Sequence, residues 1–131
     1  QYPEKVIPKF IKQLRENKKI TIQGDGSCVR GFLHVYDTVD AFIHILEKGS
    51  IGEIYNIGCN EDMEYSIMQV AEKIHSLMKI STPLKDNLKF IEDRPFNDQR
   101  YYISNKKLKL LGWNIKIDFD KGLHDLIYNS N

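Results

Sequence analysis

The stretch Ile20-Thr21-Ile22-Gln23-Gly24-Asp25-Gly26-Ser27-Cys28-Val29-Arg30-Gly31-Phe32 decides how the rest of the chain is read. Ile20 to Gln23 alternates apolar and polar side chains, the period of a half-buried strand. Gly24-Asp25-Gly26-Ser27 closes it with a strong turn signal. Val29 to Val35 is a second strand candidate, and the two together read as a hairpin-like pair. A turn with two glycines lets a ligand approach the backbone closely, and Arg30 has the reach and charge to meet an anion. An ordinary hairpin with a surface arginine accounts for the same residues.

On either side the periodicity changes to that of helices, so the expected class is α/β (α+β): a small sheet with several packed helices. Pro3 to about Asn17 reads as a helix with Val6, Ile7, Phe10, Ile11 and Leu14 as its apolar stripe. Asp37 reads as the N-cap of a helix that buries Val39, Phe42, Ile43 and Leu46 and ends at Gly49. Ile54 to Gly58 has the composition of a strand. Ser66 caps a helix to about Met78, with Ile67, Val70, Ala71, Ile74, Leu77 and Met78 inward, and Leu88 to Ile91 is a further strand. Glu92 to Arg100 reads as a loop, Asn105 to Leu111 as a short helix stopped by Gly112, and Asp118 or Asp120 as the cap of a last helix.

The 131 residues carry 19 Lys+Arg against 18 Asp+Glu, a net charge of +1, which argues against nucleic-acid binding. Cys28 and Cys59 are read as free thiols, and the four histidines show no metal-ligand spacing, so no metal is expected. With no long apolar run and no signal peptide, a cytoplasmic protein without membrane contact is expected. The chain begins without Met at Gln1-Tyr2-Pro3-Glu4, which reads as a processing or truncation boundary. No glycine-rich phosphate loop follows a strand, and Gly24-Asp25-Gly26 lacks the dinucleotide-binding spacing.

Three further stretches carry chemistry. Tyr2-Pro3-Glu4-Lys5-Val6-Ile7-Pro8 brings a lysine to a helix N-terminus, a natural diphosphate site or simply an amphipathic helix start. Gly52-Glu53-Ile54-Tyr55-Asn56-Ile57-Gly58 puts Asn56 among apolar neighbours, where a ligand or a loop backbone would have to satisfy its amide. Glu92-Asp93-Arg94-Pro95-Phe96-Asn97-Asp98-Gln99-Arg100-Tyr101 gathers two arginines beside a proline in an aperiodic loop, with guanidinium forks that match phosphate oxygens. Trp113 is read as a packing anchor, and Lys106, Lys107 and Lys109 as a solvated helix face.

In this order, together with Leu111-Gly112-Trp113, these motifs resemble the dTDP-glucose and UDP-glucose 4,6-dehydratases, which are extended short-chain dehydrogenase/reductase enzymes. The resemblance implies that residues 1–131 form the nucleotide-sugar-binding C-terminal domain, with the NAD-binding Rossmann domain upstream. It implies that Lys5 and Val6 lie near the sugar and diphosphate, and that Thr21 and Gln23 flank the pyrimidine. Arg30 and Arg94 would hold the diphosphate, with Asn56 near it and Asn97 near the nucleotide or ribose; Tyr101 receives no role. Bacterial dTDP-specific members usually carry Pro, Tyr and His where Thr21, Gln23 and Asn97 stand, which leaves thymine or uracil open.

The family reaction moves a hydride from sugar C4 to NAD, eliminates water across C5 and C6, and returns the hydride to C6. By the same resemblance the catalytic residues lie upstream and none is expected here, so this chain alone would be inactive and would hold no NAD. The expected ligand is dTDP-glucose or UDP-glucose, in a full-length enzyme that is a homodimer. A nucleotide-sugar epimerase or decarboxylase of the same superfamily is the neighbouring reading. A non-catalytic binding module is the reading from a different class.

Overall fold

The computed structural model describes residues 5–93 and 100–129, with Arg100 and Tyr101 as backbone only. Helix α1, Val6–Arg15, buries Ile7, Phe10, Ile11 and Leu14, the apolar stripe that its three-to-four spacing dictates. Strand β1, Ile20–Gln23, buries Ile20 and Ile22 completely and turns Thr21 and Gln23 to its other face. The turn that follows needs its glycines: Gly24 and Gly26 have φ of 61° and 77°. The Asp25 carboxylate accepts from the Ser27 amide and hydroxyl at 2.9 and 2.6 Å, and these bonds lower its pKa.

The expected hairpin does not form. Strand β2, Val29–Gly31, leaves the turn for a different sheet. It pairs antiparallel with β3, Glu64–Ser66, and parallel with β5, Arg100–Tyr101. Strand β1 instead pairs in parallel with β4, Leu88–Ile91, in the register Ile20↔Leu88 to Gln23↔Ile91. The Gly24 amide extends that ladder by donating to the Ile91 carbonyl at 2.9 Å. The turn signal was sound, but the strand partners were set by distant segments.

Helix α2 is Val35–Lys48, and its N-cap is His34, whose ring accepts from the Tyr36 amide; Asp37 is not the cap. The Asp37 carboxylate is buried and accepts from the Lys116 and Ile117 amides at 3.1 and 3.0 Å, which removes it from capping. Its carbonyl accepts from Trp113 Nε1 at 3.0 Å. Trp113 is fully buried with Ala41 and Leu108, so it is the packing anchor that was expected.

Two expectations about this region fail. Val39, Phe42, Ile43 and Leu46 of α2 face outward and are 50%, 56%, 46% and 86% exposed. Ile54 to Gly58 forms no strand, and no described strand pairs with it.

Helix α3, Ile67–Leu77, starts with a reciprocal capping box between Ser66 and Gln69 and buries Val70, Ala71 and Ile74. Helix α4, Lys106–Leu110, ends at Gly112, where φ is 96°. Helix α5, Phe119–Tyr128, is capped by the Asp118 carboxylate at 2.7 Å from the Lys121 amide. The main core joins α1, β1, α3 and α5 through Phe10, Leu14, Ile22, Ile74, Phe119 and Leu123. Burying each such side chain contributes roughly 1.5–3 kcal/mol. The class is therefore α/β (α+β), with helices packed on small sheets. Among the described residues no helix is long and apolar enough to cross a membrane.

Candidate nucleotide-sugar site

A cavity of about 650 Å³ opens between the start of α1 and the outer faces of β1 and β2. Lys5, Val6, Lys9 and Phe10 line it from the start of the helix, Thr21 and Gln23 from β1, Arg30 and Gly31 from β2, and Cys28 from just before it. Each arrives there for a local reason. The strand period turns Thr21 and Gln23 to the face opposite the buried Ile20 and Ile22. One helical turn separates Lys5 from Lys9, which puts both on one side of α1.

Lys5 is the N-cap residue of α1 with extended backbone, and its own side chain makes no capping hydrogen bond. The Val6 and Ile7 amides begin the helix, while Pro8 has no amide hydrogen to leave unsatisfied. Arg30 donates from Nη1 to the Val29 carbonyl at 2.8 Å, which holds the root of the guanidinium against its own strand. The lining thus carries three cationic side chains, Lys5, Lys9 and Arg30, and no carboxylate among the described residues. A helix N-terminus beside three cations favours an anionic ligand. Gln23 and Thr21 add amide and hydroxyl groups that suit a base or a sugar.

A second cavity, of about 350 Å³, lies between α1, α5 and residues 32–35. Ile7, Phe32, Met63, Phe119 and Leu126 make it apolar, and its one carboxylate, Asp118, is engaged in capping α5. Among the described residues its lining holds His34 but no lysine or arginine to meet a phosphate.

Five of the residues expected at the site, Lys5, Val6, Thr21, Gln23 and Arg30, line the first cavity together. Asn56 does not; it is exposed, in the irregular segment that follows α2. Arg94 and Asn97 lie outside the described residues, as do the side chains of Arg100 and Tyr101. Lys9 was missed, although its spacing of four from Lys5 announces it.

Lys107 is also more than a solvated lysine. It donates to Glu53 Oε2 at 2.6 Å and to the Ile54 carbonyl at 3.1 Å, and lies over the Tyr55 ring. The hydrogen bond and charge of Lys107 lower the Glu53 pKa. Neither Cys28 nor Cys59 is in a disulfide; both are buried, and burial raises the Cys59 pKa.

The glycine turn does not fit a dinucleotide cradle. It leads from strand to strand rather than into a helix, and the amides of Gly24 and Gly26 are bonded to the Ile91 and Gln23 carbonyls. Among the described residues no group of three or more His, Cys, Asp or Glu is arranged to hold a metal ion.

A family model described as "NAD dependent epimerase/dehydratase family" matches residues 1–58. Residues 1–58 are thus similar to this family.

Within it, the chain is similar to the dTDP-glucose 4,6-dehydratases. It is 42% identical over 130 residues to dTDP-D-glucose 4,6-dehydratase of Bos taurus, covering 97% of this chain and 36% of the relative. It is 42% identical over 123 residues to a trifunctional UDP-glucose 4,6-dehydratase/UDP-4-keto-6-deoxy-D-glucose 3,5-epimerase/UDP-4-keto-L-rhamnose-reductase of Arabidopsis thaliana, covering 94% of this chain and 18% of that protein. The crystal structure of dTDP-glucose 4,6-dehydratase from Bacillus anthracis in complex with NAD superposes with a TM-score of 0.87 at 38% identity. That alignment covers 97% of this chain and 39% of the other.

Proposed function

We propose that the 650 Å³ cavity binds a nucleoside-diphosphate-glucose, dTDP-glucose or UDP-glucose, and orients it for NAD-dependent 4,6-dehydration in a longer protein. The observation that carries this reading is the charge of the lining, where Lys5, Lys9 and Arg30 surround the opening without an opposing carboxylate among the described residues. A diphosphate needs such donors, and a charge-assisted hydrogen bond is worth roughly 1.5–3 kcal/mol. Thr21 and Gln23, on the strand face beside the cations, take the base. Arg94, Asn97 and Asn56 are carried in this proposal by the resemblance to the dehydratases.

The chemistry itself belongs to the remainder of such a protein. The chain covers 36% of the Bos taurus relative and 39% of the Bacillus anthracis enzyme, and the latter was crystallised with NAD. We assign the NAD-binding domain, and the dehydration residues, to that remainder. The exposed α2 face and the unpaired segment Ile54–Ile57 are where this domain would meet it. Remote binding energy in the cavity would then hold the sugar for reaction next door.

Calorimetric titration of the full-length protein with UDP and dTDP tests the reading. Arg30→Ala is expected to weaken binding by about tenfold or more, as the loss of a charge-assisted bond requires. Lys107→Ala, away from the cavity, is expected to leave it unchanged. Equal effects of the two would remove the diphosphate from this cavity. The 131-residue chain by itself is expected to show no turnover of either sugar nucleotide with NAD added, and measurable turnover would overturn the division of labour.

A further inference from the structure

The face of α1 that brings Lys5 and Lys9 to the cavity continues, one turn on, to Gln13. Gln13 is not among the lining residues, yet it grips one that is. Its Oε1 accepts from the Thr21 backbone amide at 3.3 Å, and its Nε2 donates to Thr21 Oγ1 at 3.2 Å.

The direction of these two bonds fixes a third. A backbone N–H can only donate, so the oxygen of the Gln13 amide must face it, and the NH2 group must face the hydroxyl. An NH2 group cannot accept, so Oγ1 takes the acceptor role and keeps its own proton free of Gln13. Among the described residues no acceptor takes that proton. Thr21 lines the cavity, which is where the proton can be used.

We propose that Gln13 is a positioning residue that commits the Thr21 hydroxyl to donate into the cavity, toward a carbonyl oxygen of a pyrimidine. The inference rests on the nucleotide reading above. Uracil and thymine present carbonyl acceptors, and a hydroxyl already held as a donor meets them without reorientation. Proline at position 21 has neither an N–H for Gln13 nor a hydroxyl for the base, so the clamp belongs to a threonine-bearing site.

Gln13→Glu separates this from a purely structural role. A carboxylate keeps the acceptor for the Thr21 amide but replaces the NH2 donor with a second acceptor, which draws the hydroxyl proton away from the cavity. In the full-length protein titrated with UDP and dTDP, Gln13→Glu and Thr21→Val are each expected to weaken binding by about tenfold, the worth of one net hydrogen bond. The double variant is expected to bind like Thr21→Val alone, and Thr21→Ser to bind within about threefold of wild type.

Thermal unfolding of each variant accompanies the titrations, and Thr21→Val supplies the reading if Gln13→Glu fails to fold. Unchanged binding in Gln13→Glu, or in Thr21→Val, would overturn the inference while leaving the nucleotide site standing. Losses that multiply in the double variant would overturn it too, since they would mark repulsion between the new carboxylate and the diphosphate. A wild-type protein that binds neither nucleotide would instead bring down the functional reading, and this inference with it.

Discussion

The layer of α1, β1, α3 and α5 and the region of α2 with its following segment have similar apolar patterning and opposite fates. In the first, Phe10, Ile22, Ile74 and Leu123 are buried against one another. In the second, Phe42, Leu46, Ile51 and Ile54 are exposed, and Ile54–Ile57 forms no strand with any described segment. The contrast teaches that periodicity tells which face of an element must be covered, and not what covers it. The exposed face is the one proposed above to meet the remainder of a longer protein.

Mutations can break or sharpen that comparison. Ile74→Ala, in the filled layer, is expected to cost about 2–5 kcal/mol in urea unfolding, because transfer and cavity terms add. Leu46→Ser, on the open face, is expected to stay within about 0.5 kcal/mol in the 131-residue chain and to become costly only in the full-length protein. Equal losses for Leu46→Ser in both proteins would erase the distinction between the regions.

Gly58→Ala comes next in size. A Cβ there would lie 2.3 Å from the Ile103 carbonyl oxygen, so backbone must move, and overpacking of this kind costs about 1–3 kcal/mol. Asp118→Ala, which uncaps α5 in the filled layer, should cost about 1 kcal/mol by the same unfolding measurement.

The smallest effect concerns the Lys107–Glu53 pair, which holds the irregular segment from one side. The Glu53 carboxyl is lowered from its ordinary 4.5, so the pair's contribution is present above that value and is lost as pH falls through the lower folded-state value. An NMR titration of Glu53 should give a midpoint below 4.5, and Lys107→Ala should return it toward the ordinary value.

Much of the filled layer was legible in the sequence because its signals are local. Val6 to Leu14 spells its own stripe, Ser66 caps its own helix, and Asp118, one of two candidates with Asp120, caps the last. What could not be read was whatever depends on a partner far along the chain. The turn at Gly24–Ser27 was recognised, but β1 joins Leu88–Ile91 and β2 joins Glu64–Ser66, both beyond helix α2. Asp37 was taken for a cap on local grounds, while its carboxylate serves the Lys116 and Ile117 amides. Of the candidate site, the motifs supplied Lys5, Val6, Thr21, Gln23 and Arg30. They gave no sign of the Gln13 clamp, which exists only once α1 lies along β1.

Gly31 joins the two regions just compared. A side chain there would meet Cys59 Sγ at 2.4 Å, so β2 and residues 58–60 touch with no slack between them. Asn105 ties that loop down, donating to the Gly58 carbonyl at 3.0 Å and to Asn60 Oδ1 at 3.2 Å. Close-packed interiors transmit displacement rather than absorb it. The open face and the strand that carries Arg30 are therefore mechanically in series: whatever seats itself against Ile54–Ile57 also presses on the wall of the cationic cavity.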